Sequence, residues 1–490
     1  MPAVMYFFLS VAALVLGYFI YGKVVERMFG ANTARATPAC SMADGVDYVS
    51  MPTWKVFLIQ LLNIAGVGPV FGPIMGALYG PAALLWIVLG CIFAGAVHDY
   101  LAGMMSVRYN GKSLPDVVGY ALGNGMKQFM RAFSLLLVVL VGVVFVAAPA
   151  GLLANLTSQP MMWFVIIIFA YYFLATILPI DVIIGRLYPV FAIVLLIMAF
   201  GVAGGLVVKG YAFYNWAEWT NQHPKGLPLW PLMFVTIACG AISGFHATQS
   251  PLMARCMSEE KYGRSVFYGA MIAEGIIGLI WATAGMTFYN SSPELAAAIG
   301  KGGPGAVVNT VCMTLLGPVG GALAILGVVV LPITSGDTAF RAARLIIADV
   351  LNFAQKTPIS RLYIAVPIFV IGIILSRVDF SILWRYFGWA NQTLAAVTLW
   401  AGAAYLVRRE QLHWIASLPA TFLTAVVISY ICMEKIGFNM PYNVSVIIGC
   451  VFAVGCLGLF LSKGNWFRAN VPLELDVPSR DSATAPAADD

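Results

Sequence analysis

Residues 63 to 76 read NIAGVGPVFGPIMG, with Gly-Pro at Gly68-Pro69 and again at Gly72-Pro73, inside an apolar run from near Trp54 to Tyr79. A run of that length crosses a bilayer, which takes about 20 apolar residues in a helix, yet its centre holds the two residue types that least tolerate a helix interior. Unwinding there leaves backbone N–H and C=O groups without partners, a severe cost in hydrocarbon. The break persists only where protein, water, an ion or a substrate takes up the freed bonds. Half-helix ends are suited to this, since N-terminal ends attract anions and freed carbonyls attract cations.

The rest of the chain has the same solvent. Of 490 residues 61% are hydrophobic and 10% charged, against about 25% charged in soluble globules. Thirteen apolar runs are long enough to span, near 4 to 21, 54 to 79, 82 to 106, 130 to 153, 161 to 180, 187 to 208, 230 to 250, 264 to 289, 320 to 350, 361 to 376, 381 to 406, 413 to 433 and 442 to 462, which leaves 290 to 319 as an outer loop. The expected fold class is therefore an all-α polytopic membrane protein of about 13 transmembrane helices. Its first segment, VMYFFLSVAALVLGYFIY, lacks a leading positive residue and exceeds a signal-peptide core, so it is read as a retained helix. The eight cysteines form no Cys-x-x-Cys pair and most fall inside spans, which points to packing and to neither disulfides nor a metal site.

A second run repeats the fault. Residues 237 to 251, IACGAISGFHATQSP, place Gly240, Ser243, Gly244, His246, Gln249 and Pro251 in a membrane segment five spans after the first broken one. The two runs then enter from opposite sides, the layout of a five-plus-five inverted repeat whose halves each begin with a discontinuous helix, like transporters of the LeuT and APC type. The expected division is an extra helix and inner loop (1–53), a first repeat (54–208), a second repeat (209–410), two further helices (411–470) and a disordered tail (471–490). With the N-terminus outside and the C-terminus inside, only Lys209, Lys225, Lys301, Arg377, Arg385 and Lys435 of the 27 Lys and Arg residues remain outside, as the positive-inside rule asks. That bias accounts for the net charge of +6 without a nucleic-acid partner; the partner implied is the lipid bilayer.

Charge at membrane depth asks for a reason. His98 and Asp99 in GCIFAGAVHDYLAGMM suit a proton relay or a structural pin; they are about 100° apart on a helix and cannot face one neighbour together. Glu274 in GAMIAEGIIGLIWA has no cation close in sequence, which fits a proton carrier. Thr334, Ser335, Asp337 and Thr338 in GVVVLPITSGDTAFRAAR offer an oxygen cage for Na⁺, against plain hydroxyl bonds to their own helix, with Arg341 one turn on. Asn391 and Gln392 in FGWANQTLAAVTLW offer substrate contacts or interhelical hydrogen bonds. Asp181 and Arg186 offer a gate ion pair in an inner loop.

Together GVGPVFGPIMGALYG, AGAVHD, LPIDVIIGRLYP, CGAISGFHATQSPLMARC, MIAEGIIGLIWA, LPITSGDTAFRAAR and WANQTLAAVTLW resemble the carbon starvation protein A family of bacterial membrane transporters, over about residues 40 to 410. The resemblance implies uptake of peptides or pyruvate, coupled to protons, in the inner membrane. The residues expected at the substrate are Gly66, Gly68, Gly72, Gly240, Ser243, Gly244, His246, Gln249, Asn391 and Gln392. Those expected at the coupling ion, H⁺ or alternatively Na⁺, are Glu274, Asp337, Thr334, Ser335, Thr338, His98 and Asp99. No Walker motif offers nucleotide energy, and neither an enzyme nor a resident cofactor is expected. A sensor that binds without transporting, and an intramembrane haem protein using His98 and His246, are the competing readings. With four histidines in all and no paired spacing, the haem reading is the weaker.

Overall fold

The computed structural model describes residues 3–45, 47–177, 180–211, 219–355 and 357–476; at 3–4, 155–156, 177, 180–187, 324–326 and 328 it describes the backbone only. The side chains of Asp181 and Arg186 and the tail from 477 thus lie outside the described residues. Helices dominate, as a chain deprived of water partners for its backbone requires. Among the described residues the one strand-like pairing is an isolated bridge between Met51 and Met257.

Helices α1 (Ala3–Phe19), α2 (Tyr21–Phe29) and α3 (Pro38–Ser41) lead into the first broken span, α4 (Thr53–Ile64) and α5 (Gly68–Gly76). Then come α6 (Ala82–Gly90), α7 (Ala96–Arg108), α8 (Leu114–Leu122), α9 (Asn124–Thr157), α10 (Met161–Ile177) and α11 (Ile180–Val208). The second break separates α12 (Leu232–Thr236) from α13 (Gly244–Ala254), before α14 (Gly269–Phe288), α15 (Ser292–Ile325) and α16 (Leu331–Leu351). The chain closes with α17 (Pro358–Leu375), α18 (Phe380–Arg408), α19 (Trp414–Met433), α20 (Tyr442–Ser462) and α21 (Gly464–Asn470).

Nine helices among the described residues are long and apolar enough to cross a membrane, and the first broken span, bent by 49°, makes up to ten. The runs read at 161 to 180, 230 to 250, 320 to 350 and 381 to 406 correspond to α10, the α12–α13 pair, α16 and α18, which are shorter or more polar. One connection differs from its reading as an outer loop. The stretch after α14 is helical, turning at Gly302–Gly303 and at Gly317, where φ is 72° at Gly303 and 65° at Gly317. Each left-handed glycine precedes a proline, Pro304 or Pro318, that cannot continue the helix behind it.

Three π-helical turns, Cys91–Gly95, Arg264–Tyr268 and Leu326–Val330, lead directly into α7, α14 and α16. Each therefore precedes a helix with a buried acid: Asp99, Glu274 or Asp337.

The first break falls at 65–67, ahead of both Gly-Pro doublets, and α5, the half-helix that follows it, lies against the second break. Gly68, Gly72 and Gly76 recur every four residues and share one face of α5. A Cβ on them would meet Cys239, the Thr236 carbonyl and Ile237 in turn. Small residues thus let α5 lie on the unwound 237–243 segment, the usual device for close approach of backbones in membranes.

One end of the bundle is closed by a hub around Glu260, which is fully buried. It accepts from Arg108 at 3.1 and 3.2 Å, from Arg35 at 3.3 Å and from the Asn32 backbone N–H at 2.7 Å. Residues 471–476, expected as the start of a disordered tail, are docked over this hub. Backbone carbonyls of Val471, Pro472, Leu473 and Asp476 accept from Arg408, Tyr109, Tyr405 and Asn110, and Leu475 N–H donates to the Arg108 carbonyl.

Candidate functional site

The unwound segment 237–243 carries positive φ at Gly240, 89°, which only glycine adopts without strain. Its Cβ position lies 3.5 Å from the Gly278 Cα and 3.7 Å from the Pro73 ring, ordinary contact distances, so the demand for glycine there comes from the backbone angle. Downstream, Ser243 takes an extended conformation and α13 starts at Gly244.

Around this break runs a line of four fully buried ionisable groups. His98 Nδ1 lies 2.7 Å from Asp99 Oδ1, Asp99 Oδ2 lies 2.9 Å from His246 Nδ1, and His246 Nε2 lies 3.4 Å from Glu274 Oε2. His98 and Asp99, which diverge on their helix, meet by bending toward one another. Asp99 then reaches α13 with its other oxygen. His246, read as a substrate residue, joins Asp99 to Glu274, both read as ion residues. Cys239 belongs to the same place: a donor atom from each of Cys239, His246 and Glu274 lies within 4.8 Å of the other two. Among the described residues, these three could hold a metal ion.

The amides of α18 secure the second break. Asn391 Oδ1 accepts from the Phe245 backbone N–H at 2.7 Å and from Ser243 Oγ at 3.1 Å, capping α13 from a neighbouring helix. Gln392 Nε2 donates to the Phe234 carbonyl of α12 at 2.9 Å, so adjacent residues hold both flanks. Gly244 makes this approach possible, for its Cβ position falls on the Asn391 carbonyl and 2.5 Å from the Ala395 nitrogen. Gln249 donates to Thr248 Oγ1 at 2.9 Å, and its Oε1 has no partner.

Around the first break the three hydroxyls each donate to a backbone carbonyl. Thr334 Oγ1 donates to the Leu331 carbonyl and Thr338 Oγ1 to the Ser335 carbonyl, each within its own helix. Of the three hydroxyls, only that of Ser335 reaches across, to the Leu62 carbonyl at 3.0 Å beside the break. Asp337 accepts from Tyr188 at 3.3 Å, while Arg341 donates to the Ala175 carbonyl at 3.2 Å. Gly66 is packed under Phe145 and Ser335.

Two residues that sequence reading passed over stand out here. Gln60 and Asn63 are fully buried on α4, just before the break, and none of their four side-chain polar atoms has a partner. Their spacing of three puts them on one face, a signal legible in the sequence.

The profile of the family described as "Carbon starvation protein CstA" matches residues 2–164, 135–300 and 283–430. The peptide transporter CstA of Bacillus subtilis is 27% identical over 561 residues, covering 91% of each chain. The pyruvate/proton symporter BtsT of Escherichia coli is 24% identical over 363 residues, covering 59% of this chain and 51% of that one. Among solved structures, the nucleobase-cation-symport-1 family transporter Mhp1, closed with bromovinylhydantoin bound, superposes with a TM-score of 0.57 at 14% identity, covering 89% of this chain and 96% of that one. These relatives and this neighbour are transporters, and the fold is of the LeuT type.

Proposed function

We propose, for a chain that belongs to the carbon starvation protein CstA family, a secondary transporter that imports a small carboxylate such as pyruvate, or short peptides, together with a proton. Membrane character, fold and relatives make it a multi-pass transporter. The substrate and the ion are our reading, as are its seat in the bacterial inner membrane, the five-plus-five repeat and an outside N-terminus. The carrying observation is that α5, the half-helix after the first break, lies against the second break through its Gly68–Gly72–Gly76 face and residues 236–239. A half-helix start beside an unwound segment offers backbone groups of both polarities to one ligand, and each half can tilt about its own break. The proton is supported by one relative, a pyruvate/proton symporter, and by the fully buried line from His98 to Glu274. Na⁺ is the alternative.

The test is counterflow of labelled pyruvate and of a labelled dipeptide into proteoliposomes, then net uptake under separate H⁺ and Na⁺ gradients. Expected is accumulation of one substrate under an inward proton gradient, abolished by a protonophore. Absence of counterflow for both substrates overturns the substrate reading. Accumulation that follows Na⁺ and ignores pH moves the coupling ion.

A further inference from the structure

The Asp99 carboxylate fixes how His246 faces its surroundings. With Nδ1 held 2.9 Å from Asp99 Oδ2, that nitrogen carries the hydrogen, and Nε2 presents its lone pair. Nε2 is aimed at Glu274 Oε2, 3.4 Å away, and neither Nε2 nor either Glu274 oxygen has a hydrogen-bond partner. A charge-assisted hydrogen bond filling that gap would draw the atoms to about 2.7–2.9 Å. Two ligand atoms about 2.1 Å from one tetrahedral zinc, by contrast, stand roughly 3.4 Å apart, which is the separation observed. The third donor, Cys239 Sγ, lies within 4.8 Å of each of the other two, and all three residues are buried.

We propose that Cys239 Sγ, His246 Nε2 and Glu274 Oε2 form a binding site for a thiophilic divalent cation of the zinc class, with its fourth coordination position open toward the helix break. A sulfur, an imidazole nitrogen and a carboxylate oxygen with one open position make a zinc-type ligand set. The sulfur excludes Mg²⁺ and Ca²⁺, which take oxygen ligands. Asp99 on Nδ1, itself met by His98 at 2.7 Å, supplies the outer support that fixes the tautomer of a metal-bound histidine. Binding releases the thiol proton, leaving a thiolate on the metal. The ligands come from the unwound segment, from α13 and from α14, so a bound ion ties the second break shut and competes with turnover. The inference concerns ion binding and holds whichever substrate is carried. It also assigns chemistry to a cysteine read as packing and to a site read as metal-free.

The test is Co²⁺ titration of the purified full-length chain in nanodiscs, in a background where the more accessible Cys40, Cys450 and Cys456 are replaced by Ser. Expected is one saturable equivalent with a thiolate-to-cobalt charge-transfer band and tetrahedral visible bands. One equivalent of Zn²⁺ should bleach them, and excess Mg²⁺ should not. Cys239→Ser should remove the charge-transfer band. Glu274→Gln should keep the band while weakening binding at least tenfold, and Asp99→Asn should weaken it roughly 10–100-fold. No saturable equivalent in the background protein overturns the site, as does a band that survives Cys239→Ser. Should Cys239→Ser fail to elute as a folded species, Glu274→Gln decides: unchanged affinity there removes the site.

Discussion

Replacing Gly244 by Ala tests whether the second break is a built contact or a loose kink. The new Cβ would sit 2.5 Å from the Ala395 nitrogen and 2.6 Å from the Leu394 Cβ, and on the Asn391 carbonyl. Carbon contacts settle near 3.5 Å, so α18 must retreat by roughly 1 Å. That retreat stretches the 2.7 Å bond from Phe245 N–H to Asn391 Oδ1 beyond hydrogen-bonding distance. Overpacking costs about 1–3 kcal/mol and a lost helix cap about 0.5–2 kcal/mol. Alanine returns up to about 1 kcal/mol through helix propensity. The net is roughly 1–4 kcal/mol, or about 5-fold to 1,000-fold in the population of the packed state. Gly72→Ala is the control, because its Cβ would meet a single carbonyl, that of Thr236, at 3.0 Å and needs a shift of only a few tenths of an ångström. The assay is the thermal unfolding midpoint in detergent beside counterflow in proteoliposomes. Gly244→Ala should lose counterflow and fall well below Gly72→Ala in midpoint; equal midpoints with equal transport would refute the packing argument.

Other perturbations follow from the same contacts. Asn391→Leu leaves the Phe245 N–H unpaired and should cost about 1–3 kcal/mol, whereas Gln392→Leu, which loses one bond to the Phe234 carbonyl, should lower the midpoint less. Glu260→Gln leaves the buried Arg108 charge without its counter-ion and should cost about 3–5 kcal/mol, read as a lower unfolding midpoint. Ending the chain after Asn470 removes the acceptors of Arg408, Tyr109, Tyr405 and Asn110; a lower midpoint and faster limited proteolysis of the 30–35 loop are expected, and an unchanged cleavage rate would mean the docked segment carries no load.

Much of this was legible in the sequence because hydrocarbon permits few solutions. A break in this apolar run was legible but its place was not: it falls at 65–67, ahead of both Gly-Pro doublets, and Pro73 lies inside α5; Asp99, Glu274 and His246 each stood out as polar groups at membrane depth. Their union was not legible, since His246 and Asp99 are 147 positions apart and periodicity says nothing about which helices adjoin. Thr334 and Thr338 drew attention as cage oxygens; a threonine in a helix can donate to the carbonyl three or four residues back, and both do so at three, which occupies the hydroxyl hydrogen and leaves the oxygen lone pairs. The α15 region read as a loop because AAAIGKGGPGAVVNTV mixes helix formers with breakers; the glycines and proline turn the helix without abolishing it.

The three π turns give the bundle a rotary freedom that a regular helix lacks. A π turn holds one residue more than an α turn, which advances everything beyond it by about 100°. Asp99 faces His246, Glu274 faces the break and Asp337 faces Tyr188 with that extra phase built in. Moving such a bulge along its helix by one position exchanges a few backbone bonds for equivalent ones and turns only the residues it passes. An acid turns about the helix axis only when the bulge is carried past it, a shift of several positions from Cys91–Gly95, Arg264–Tyr268 or Leu326–Val330. Deleting Ala94 alone, within Cys91–Gly95, would make that helix regular and swing Asp99 about 100° off His246.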